Sequence, residues 1–249
     1  MNLQIILDDW QMFAYGAWIT LHLTFLSLII GFCIALPSAL ALYRGARAAP
    51  LIRVYVYVFR GTPLIVQTYL LYYGLAQFEW VRESLLWVVL REAWWCALIA
   101  FSLNAGAYAT EIIRGALVAT PRGESEAGRA LGLSEPQVTR LVLLPSALRR
   151  ALPQYGNEVV FMLHGSVVAS VITIQDILGA GRTLNARHYV AYEGFITAAV
   201  LYMAITFVIV AVFRQIERRY LRHLALPSTD KATTPAKGIL ATPGPVTAR

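Results

Sequence analysis

Apolar runs long enough to cross a lipid bilayer restrict this chain more than any other feature. Inside hydrocarbon no water can pair a backbone N–H or C=O. A run of about 20 apolar residues must therefore close its hydrogen bonds within itself, as a helix. Five segments qualify: 17–43, 54–77, 94–113, 152–174 and 195–213, the fourth being the most polar. The expectation is an all-α membrane protein with five transmembrane helices. Segment 84–90 is apolar but too short to cross and reads as an interfacial piece, with Trp80, Trp87, Trp94 and Trp95 as an aromatic belt at a membrane surface. Cys33 and Cys96 give neither metal-binding spacing nor a disulfide framework, so both read as small packing residues.

A net charge of +7 would fit a nucleic-acid partner, but the arginines sit in short segments between apolar runs, where they orient a membrane protein instead. Five crossings put the termini on opposite sides. With the N-terminus outside, the inner flanks hold Arg44, Arg47, Arg53, Arg60, Arg114, Arg122, Arg129, Arg140, Arg149, Arg150, Arg214, Arg218, Arg219 and Arg222. The outer loops hold only Arg82, Arg91, Arg182 and Arg187. This asymmetry predicts N-out, C-in. The start does not read as a secretory signal, because Asp8 and Asp9 precede the first apolar run and no Lys or Arg occurs before Arg44. Residues 1–222 read as one membrane domain with a cytoplasmic loop at about 115–150. Residues 223–249, rich in Pro, Thr, Ala and Lys, read as a disordered cytoplasmic tail.

The cytoplasmic loop carries its own structural signals. Residues 124–131 are good helix formers, and Gly132 is a natural left-handed stop. Ser134 has the character of an N-cap with Gln137 as its reciprocal partner, and Pro136 is tolerated in the first turn. A second helix is expected over 135–144, broken or kinked by Pro145. Ala127, Gly128, Ala130 and Leu131 would give the first helix a small-residue surface that another protein could approach closely.

The run Glu126-Ala127-Gly128, three residues, Gly132, nine residues, then Val142-Leu143-Leu144-Pro145 resembles the signature of ABC importer permeases: Glu-Ala-Ala, three residues, Gly, nine residues, Ile, one residue, Leu-Pro. Gly128 and Val142 are mild departures that keep the small or β-branched character. The resemblance covers about residues 10–222 and narrows to permeases for polar amino acids. Arg60-Gly61-Thr62-Pro63-Leu64 with Gln67 is similar to that family's second-span motif, and Asn104, Ala107-Tyr108 and Glu111 to Gly115 to its third. Leu144 to Arg149, Pro153, Asn157-Glu158 and Leu163-His164 look most like the histidine/lysine/arginine/ornithine and opine branch.

The resemblance implies a type I ABC importer permease fold in a bacterial inner membrane. It implies a second, non-identical permease subunit, a cytoplasmic ATPase dimer and a periplasmic substrate-binding protein. Glu126, Ala127, Gly128, Gly132, Leu144 and Pro145 would form the ATPase-coupling loop. The substrate would be a basic amino acid or an opine, with other polar amino acids such as glutamine or glutamate as the alternative. No Gly-x-x-x-x-Gly-Lys-Ser/Thr run occurs, so this chain is expected to bind no cofactor, with ATP and Mg on the partner ATPase.

Ionisable groups inside a span are costly and are functional candidates by default. Glu111 either pairs with Arg114 three residues on or lines a substrate path. Glu158 either contacts the loop, Arg149 or Arg150, or acts as a gate or a negative group on the path. Many relatives carry a Lys where this chain has His164, and losing that cation would lower repulsion of a cationic amino acid. Asn104 bonds either substrate or a neighbouring helix. Arg60 reads as structural or gating, able to pair with Glu158. Gly61 and Pro63 mark a kink or unwound turn. Asp176 reads as a cap for the segment after it, or as a contact for the binding protein. His22 has no account from sequence. An ion-gradient-driven carrier is disfavoured by the five spans and by the absence of repeated halves. No zinc motif, carboxylate pair or Ser/His/Asp signature points to an enzyme.

Overall fold

The computed structural model describes residues 3–220; the expected tail at 223–249 lies outside the described residues. A short helix α1 (Leu3–Asp8) leads into α2 (Trp10–Arg44), a 35-residue helix closed by Gly45 in the left-handed region. At about 1.5 Å per residue α2 is roughly 50 Å long, well beyond the hydrocarbon thickness. Helix α7 (Ala93–Ala119) is the centre of the bundle, with 72% of its most apolar window buried. It packs along α2 and against α10 (Leu144–Gly165).

Lipid gives helices no hydrophobic reason to associate, so close backbone approach must do the work. A Cβ at Gly31 of α2 would stand 2.8 Å from Ala105 Cβ and 2.9 Å from Gly106 N of α7. Helix α12 (Ala191–Tyr220) lies on the outside, with only 11% of its apolar window buried.

The second expected span is not one helix. It consists of α3 (Ala49–Gly61) and α4 (Leu64–Tyr69), the latter extended by irregular helical turns to Gln77, and the two halves meet at 104°. Pro63 has no N–H to continue α3, and it drives Thr62 to extended backbone (φ −116°, ψ 140°). The sequence predicts a kink or unwound turn at Gly61 and Pro63; the break is sharper than a kink. Two short helices, α5 (Glu79–Arg82) and α6 (Trp87–Leu90), occupy the interfacial stretch.

After α7, helix α8 (Arg122–Ala130) turns at Gly132 (φ +81°) into α9 (Glu135–Gln137). Only glycine takes that φ without strain. The Ser134–Gln137 capping box is present, with Ser134 N–H donating to Gln137 Oε1 at 2.8 Å. Of the break or kink the sequence predicts, the break is absent at Pro145. A π-helical turn, Val138–Leu143, directly precedes it and widens the helix where the proline ring would crowd the carbonyl one turn back. The chain therefore runs as one apolar helical stretch, Glu135–Ile172, so the second loop helix and the fourth span are a single rod.

Helix α11 (Ile177–His188) folds back beside α2 and α12. Its N-cap is Asp176, 1% exposed, whose Oδ1 accepts from Gly179 N at 2.7 Å and whose Oδ2 accepts from Tyr202 O–H at 3.2 Å. Capping is thus the role the structure gives Asp176. α11 meets α12 at glycines, and a Cβ on Gly194 would stand 2.5 Å from Gly181 O.

Candidate functional site

Two regions carry polar groups with no purely local purpose: a groove along α3, α7 and α10, and the α8–α9 hairpin.

The groove begins at the helix break. Losing the helical bond at Pro63 frees carbonyls, and a free carbonyl at membrane depth is expensive. Gln67 answers this, its Nε2 donating to Phe59 O (2.9 Å), Thr62 O (3.0 Å) and Thr62 Oγ1 (2.8 Å). Asn104 of α7 completes the set, its Nδ2 reaching Phe59 O and Gln67 Oε1, each at 3.2 Å. Asn104 is 7% exposed, and its amide is engaged with neighbouring helices. In the sequence Gln67 stands only as part of a motif. A usable signal is nonetheless there: a glutamine one turn after an in-span proline is a ready donor for the carbonyls the break frees.

Three adjoining hollows extend from there. One, of about 340 Å³, is lined by Leu64, Asn104, Tyr108, Glu158, Phe161, Met162 and Gly165. A second, of about 500 Å³, shares Tyr108, Glu158 and Phe161 and adds Arg60, Glu111 and Gln154. A third, of about 590 Å³, shares Arg60, Tyr108 and Glu111 and adds Arg53 and Tyr57. Tyr108 lines all three, a role its place in a motif does not reveal.

The charges in this groove are not equivalent. Glu111 is consumed by Arg114, with Nε to both carboxylate oxygens at 3.0 Å and Nη2 to Oε2 at 2.7 Å. Arg60 makes no ion pair with Glu158, a pairing the sequence allowed; its guanidinium lies over the Tyr108 ring, 5.2 Å from the centroid. Arg149 bonds Pro145 O and Arg150 bonds Glu124, so neither reaches Glu158. Glu158, 7% exposed, has no ion pair or hydrogen bond from its side chain among the described residues. It lines two of the hollows, and in one of them the Arg60 guanidinium is the cation that shares the space with it.

His164 is not among the residues lining these hollows. It is exposed, and its Nε2 meets Thr206 Oγ1 of α12 at 3.1 Å. Because the Thr206 hydroxyl already donates to Tyr202 O at 2.7 Å, the imidazole is the donor in that contact. The electrostatic argument from sequence therefore loses its location, since position 164 faces α12 and not the groove. His22 stands between two indoles, 5.7 Å from Trp18 and 5.3 Å from Trp94.

The hairpin is braced three ways. Arg129 and Glu135 pair across the Gly132 corner at 2.5 Å, which holds the Glu135 carboxyl below its ordinary range. Glu124 and Arg150 tie α8 to α10 at 2.9 Å. Arg44, at the end of α2, donates to Thr139 Oγ1 at 2.7 Å. The Glu124 carboxyl is also held low, first by the Ser146 hydroxyl, with burial opposing and Arg150 assisting.

The outward surface differs from the sequence expectation in one residue. Glu126, Ala127, Ala130 and Leu131 are exposed, Leu131 by 82%. Gly128 instead faces inward, where a Cβ would lie 3.3 Å from Val138 and 3.5 Å from Val142. Gly128 thus closes the two loop helices on each other. Leu144 and Pro145 are half-buried at the root of the rod.

A bundle of apolar helices, a broken span opening on a polar groove, and a braced hairpin with an exposed leucine at its corner define a transmembrane transport subunit. The chain belongs to the family of binding-protein-dependent transport system inner membrane components, matched over residues 27–222. It is thus a multi-pass inner-membrane permease subunit. It is 41% identical over 211 residues to the nopaline transport system permease protein NocM of Agrobacterium fabrum, covering 84% of this chain and 88% of that one. It is also 41% identical over 216 residues to the histidine/lysine/arginine/ornithine transport system permease protein HisM of Escherichia coli, covering 86% and 91%. Among solved structures, a crystal structure of an amino acid ABC transporter with histidines matches with a TM-score of 0.77 and 31% identity, over 88% of this chain and 99% of that one. Inward-facing MetNI methionine ABC transporter structures match at a TM-score of 0.69 and 23% identity, over 84% and 96%, and share the fold. The fold is that of type I ABC importer permeases.

Proposed function

We propose that this chain is the permease subunit of an ATP-driven importer for basic amino acids or opines, working with a separate ATPase dimer, a second, non-identical permease and an external binding protein. The α8–α9 hairpin carries the reading. A leucine 82% exposed on a glycine corner, beside exposed Glu126, Ala127 and Ala130, sits on a rigid support away from the apolar helix centres. That surface suits a soluble protein's groove and has no other use in a carrier. Glu126, Ala127, Ala130, Leu131 and Gly132 form the docking face, and Gly128, Leu144 and Pro145 fix its shape.

The hairpin then lies in the cytoplasm, giving N-out, C-in. In support, Arg114, Arg122, Arg129, Arg140, Arg149 and Arg150 all fall within or at the ends of the loop that carries the hairpin, whereas the loops on the other side hold only Arg82, Arg91, Arg182 and Arg187. The substrate class rests on relatives named for nopaline and for histidine, lysine, arginine and ornithine, and on the unpartnered Glu158 carboxylate in the groove. Arg60 and Tyr108 line the path beside it, and Asn104 and Gln67 keep the broken span open.

The test is uptake into proteoliposomes containing this chain, the second permease, the ATPase and the binding protein. Labelled arginine, histidine, an opine and glutamine are compared with and without ATP on the ATPase side. ATP-dependent uptake of the basic or opine substrates is expected. Uptake of glutamine alone would overturn the substrate class, and uptake driven by an ion gradient without ATP would overturn the importer reading.

A further inference from the structure

The hairpin must pass motion to the spans, and its contacts show where. Arg129–Glu135 lies within the hairpin and transmits nothing beyond it. Among the described residues, the ion pair that joins the first loop helix directly to a membrane helix is Glu124 of α8 with Arg150 of α10. It is half-buried, with side-chain exposures of 32% and 25%, so solvent screens it less than a surface pair. Arg150 also stands on the same rod as Glu158, two turns earlier along α10.

The pair is incomplete. Arg150 Nη2 donates to Glu124 Oε1 at 2.9 Å, but Arg150 Nε is fully buried and has no hydrogen-bond partner. Guanidinium and carboxylate are built for two parallel bonds, and a buried donor left unmade is a standing cost. A small rotation of α8 relative to α10 would bring the Glu124 carboxylate onto Nε, exchanging its contact with the Ser146 hydroxyl for a charge-assisted bond and removing that cost. The conformation described here thus holds one bond where the two side chains can make two.

We propose that Glu124 and Arg150 form a coupling strut: positioning residues that hold α8 to α10 by one bond in this conformation and by two when a docked ATPase has shifted the hairpin. The second bond favours the shifted state and ties the movement of α8 to the rod that α9 and α10 already form. The inference rests on the importer reading of the hairpin.

The test uses the assembled transporter in proteoliposomes, with uptake, ATP hydrolysis and ATPase copurification measured together. Arg150→Lys keeps the charge and one bond but cannot form the fork. It should leave copurification intact and raise ATP hydrolysed per substrate moved by about tenfold, the equilibrium equivalent of about 1.4 kcal/mol. Glu124→Gln should do the same. The exchange of both, Glu124→Arg with Arg150→Glu, should recover most of the lost coupling, which a merely structural pair would not show if the single variants fold and copurify normally. Wild-type stoichiometry in Arg150→Lys and Glu124→Gln would overturn the strut while leaving the docking face standing. Failure of the unmodified chain to copurify with any ATPase would overturn the importer reading itself.

Discussion

Replacing Glu158 with Gln separates function from folding in one substitution. The side chain keeps its shape and loses its charge. In the structure the carboxylate is 7% exposed with no hydrogen bond or ion pair among the described residues, and only the Arg60 guanidinium across their shared hollow offsets part of its desolvation cost. Removing the charge should leave the thermal midpoint unchanged or raise it. A cationic substrate about 4 Å away gains roughly 1 kcal/mol in water and about 4 kcal/mol at an effective dielectric near 20. The groove is open to solvent, so about 2 kcal/mol is a fair middle value, or roughly thirtyfold. Uptake of arginine should therefore fall by roughly thirtyfold relative to citrulline, its neutral near-isostere, both delivered at saturating binding protein. The assay is initial uptake in proteoliposomes, paired with a melting curve by tryptophan fluorescence. Equal loss for both substrates would refute the electrostatic role. A clear drop in melting temperature would show that Glu158 is a structural residue with a partner the groove supplies.

The remaining predictions test other parts of the same scheme. Gly132→Pro cannot adopt φ +81° and Glu126→Lys reverses the docking charge; each should abolish ATPase copurification in a pull-down while leaving the bundle's melting midpoint within a few degrees of wild type. Gln67→Leu strips the donors from Thr62 O and leaves that carbonyl unpaired, a loss of about 2–4 kcal/mol that should lower the midpoint by on the order of 5–10 °C; a shift of a degree or less would show that the broken span does not depend on it. His164→Lys faces α12 and should reduce arginine and glutamine uptake alike; selective loss of arginine would put position 164 back on the substrate path.

The division between sequence and tertiary structure tracks the range of the interactions. Helical spans are readable because lipid forces each long apolar run to satisfy its own backbone. The loop is readable because its signals are short-range: Ser134 and Gln137 are three residues apart, and Gly132 stops a helix by its own φ. Local rules also find the Glu111–Arg114 pair, one turn of α7. They fail where the outcome depends on partners far along the chain or on the exact winding of a helix. Pro145 looks like a breaker, yet the π turn before it absorbs the ring. Gly128 looks like docking surface, yet Val138 and Val142 cover it.

The groove itself belongs to tertiary structure. Glu158, Arg60 and Tyr108 come from three helices, and their sequence positions do not reveal which cations are already engaged. Arg150 turns to Glu124 and Arg60 to the Tyr108 ring, which leaves Glu158 without an ion pair among the described residues. His164 could be read as its companion in one dimension, but about 100° per residue of helical rotation carries it to a different side of α10, against Thr206. Composition and spacing therefore determined that the chain crosses a membrane and carries a two-helix hairpin. Packing alone decided which of its buried charges remains unspent, because a charge's availability depends on every neighbour it meets.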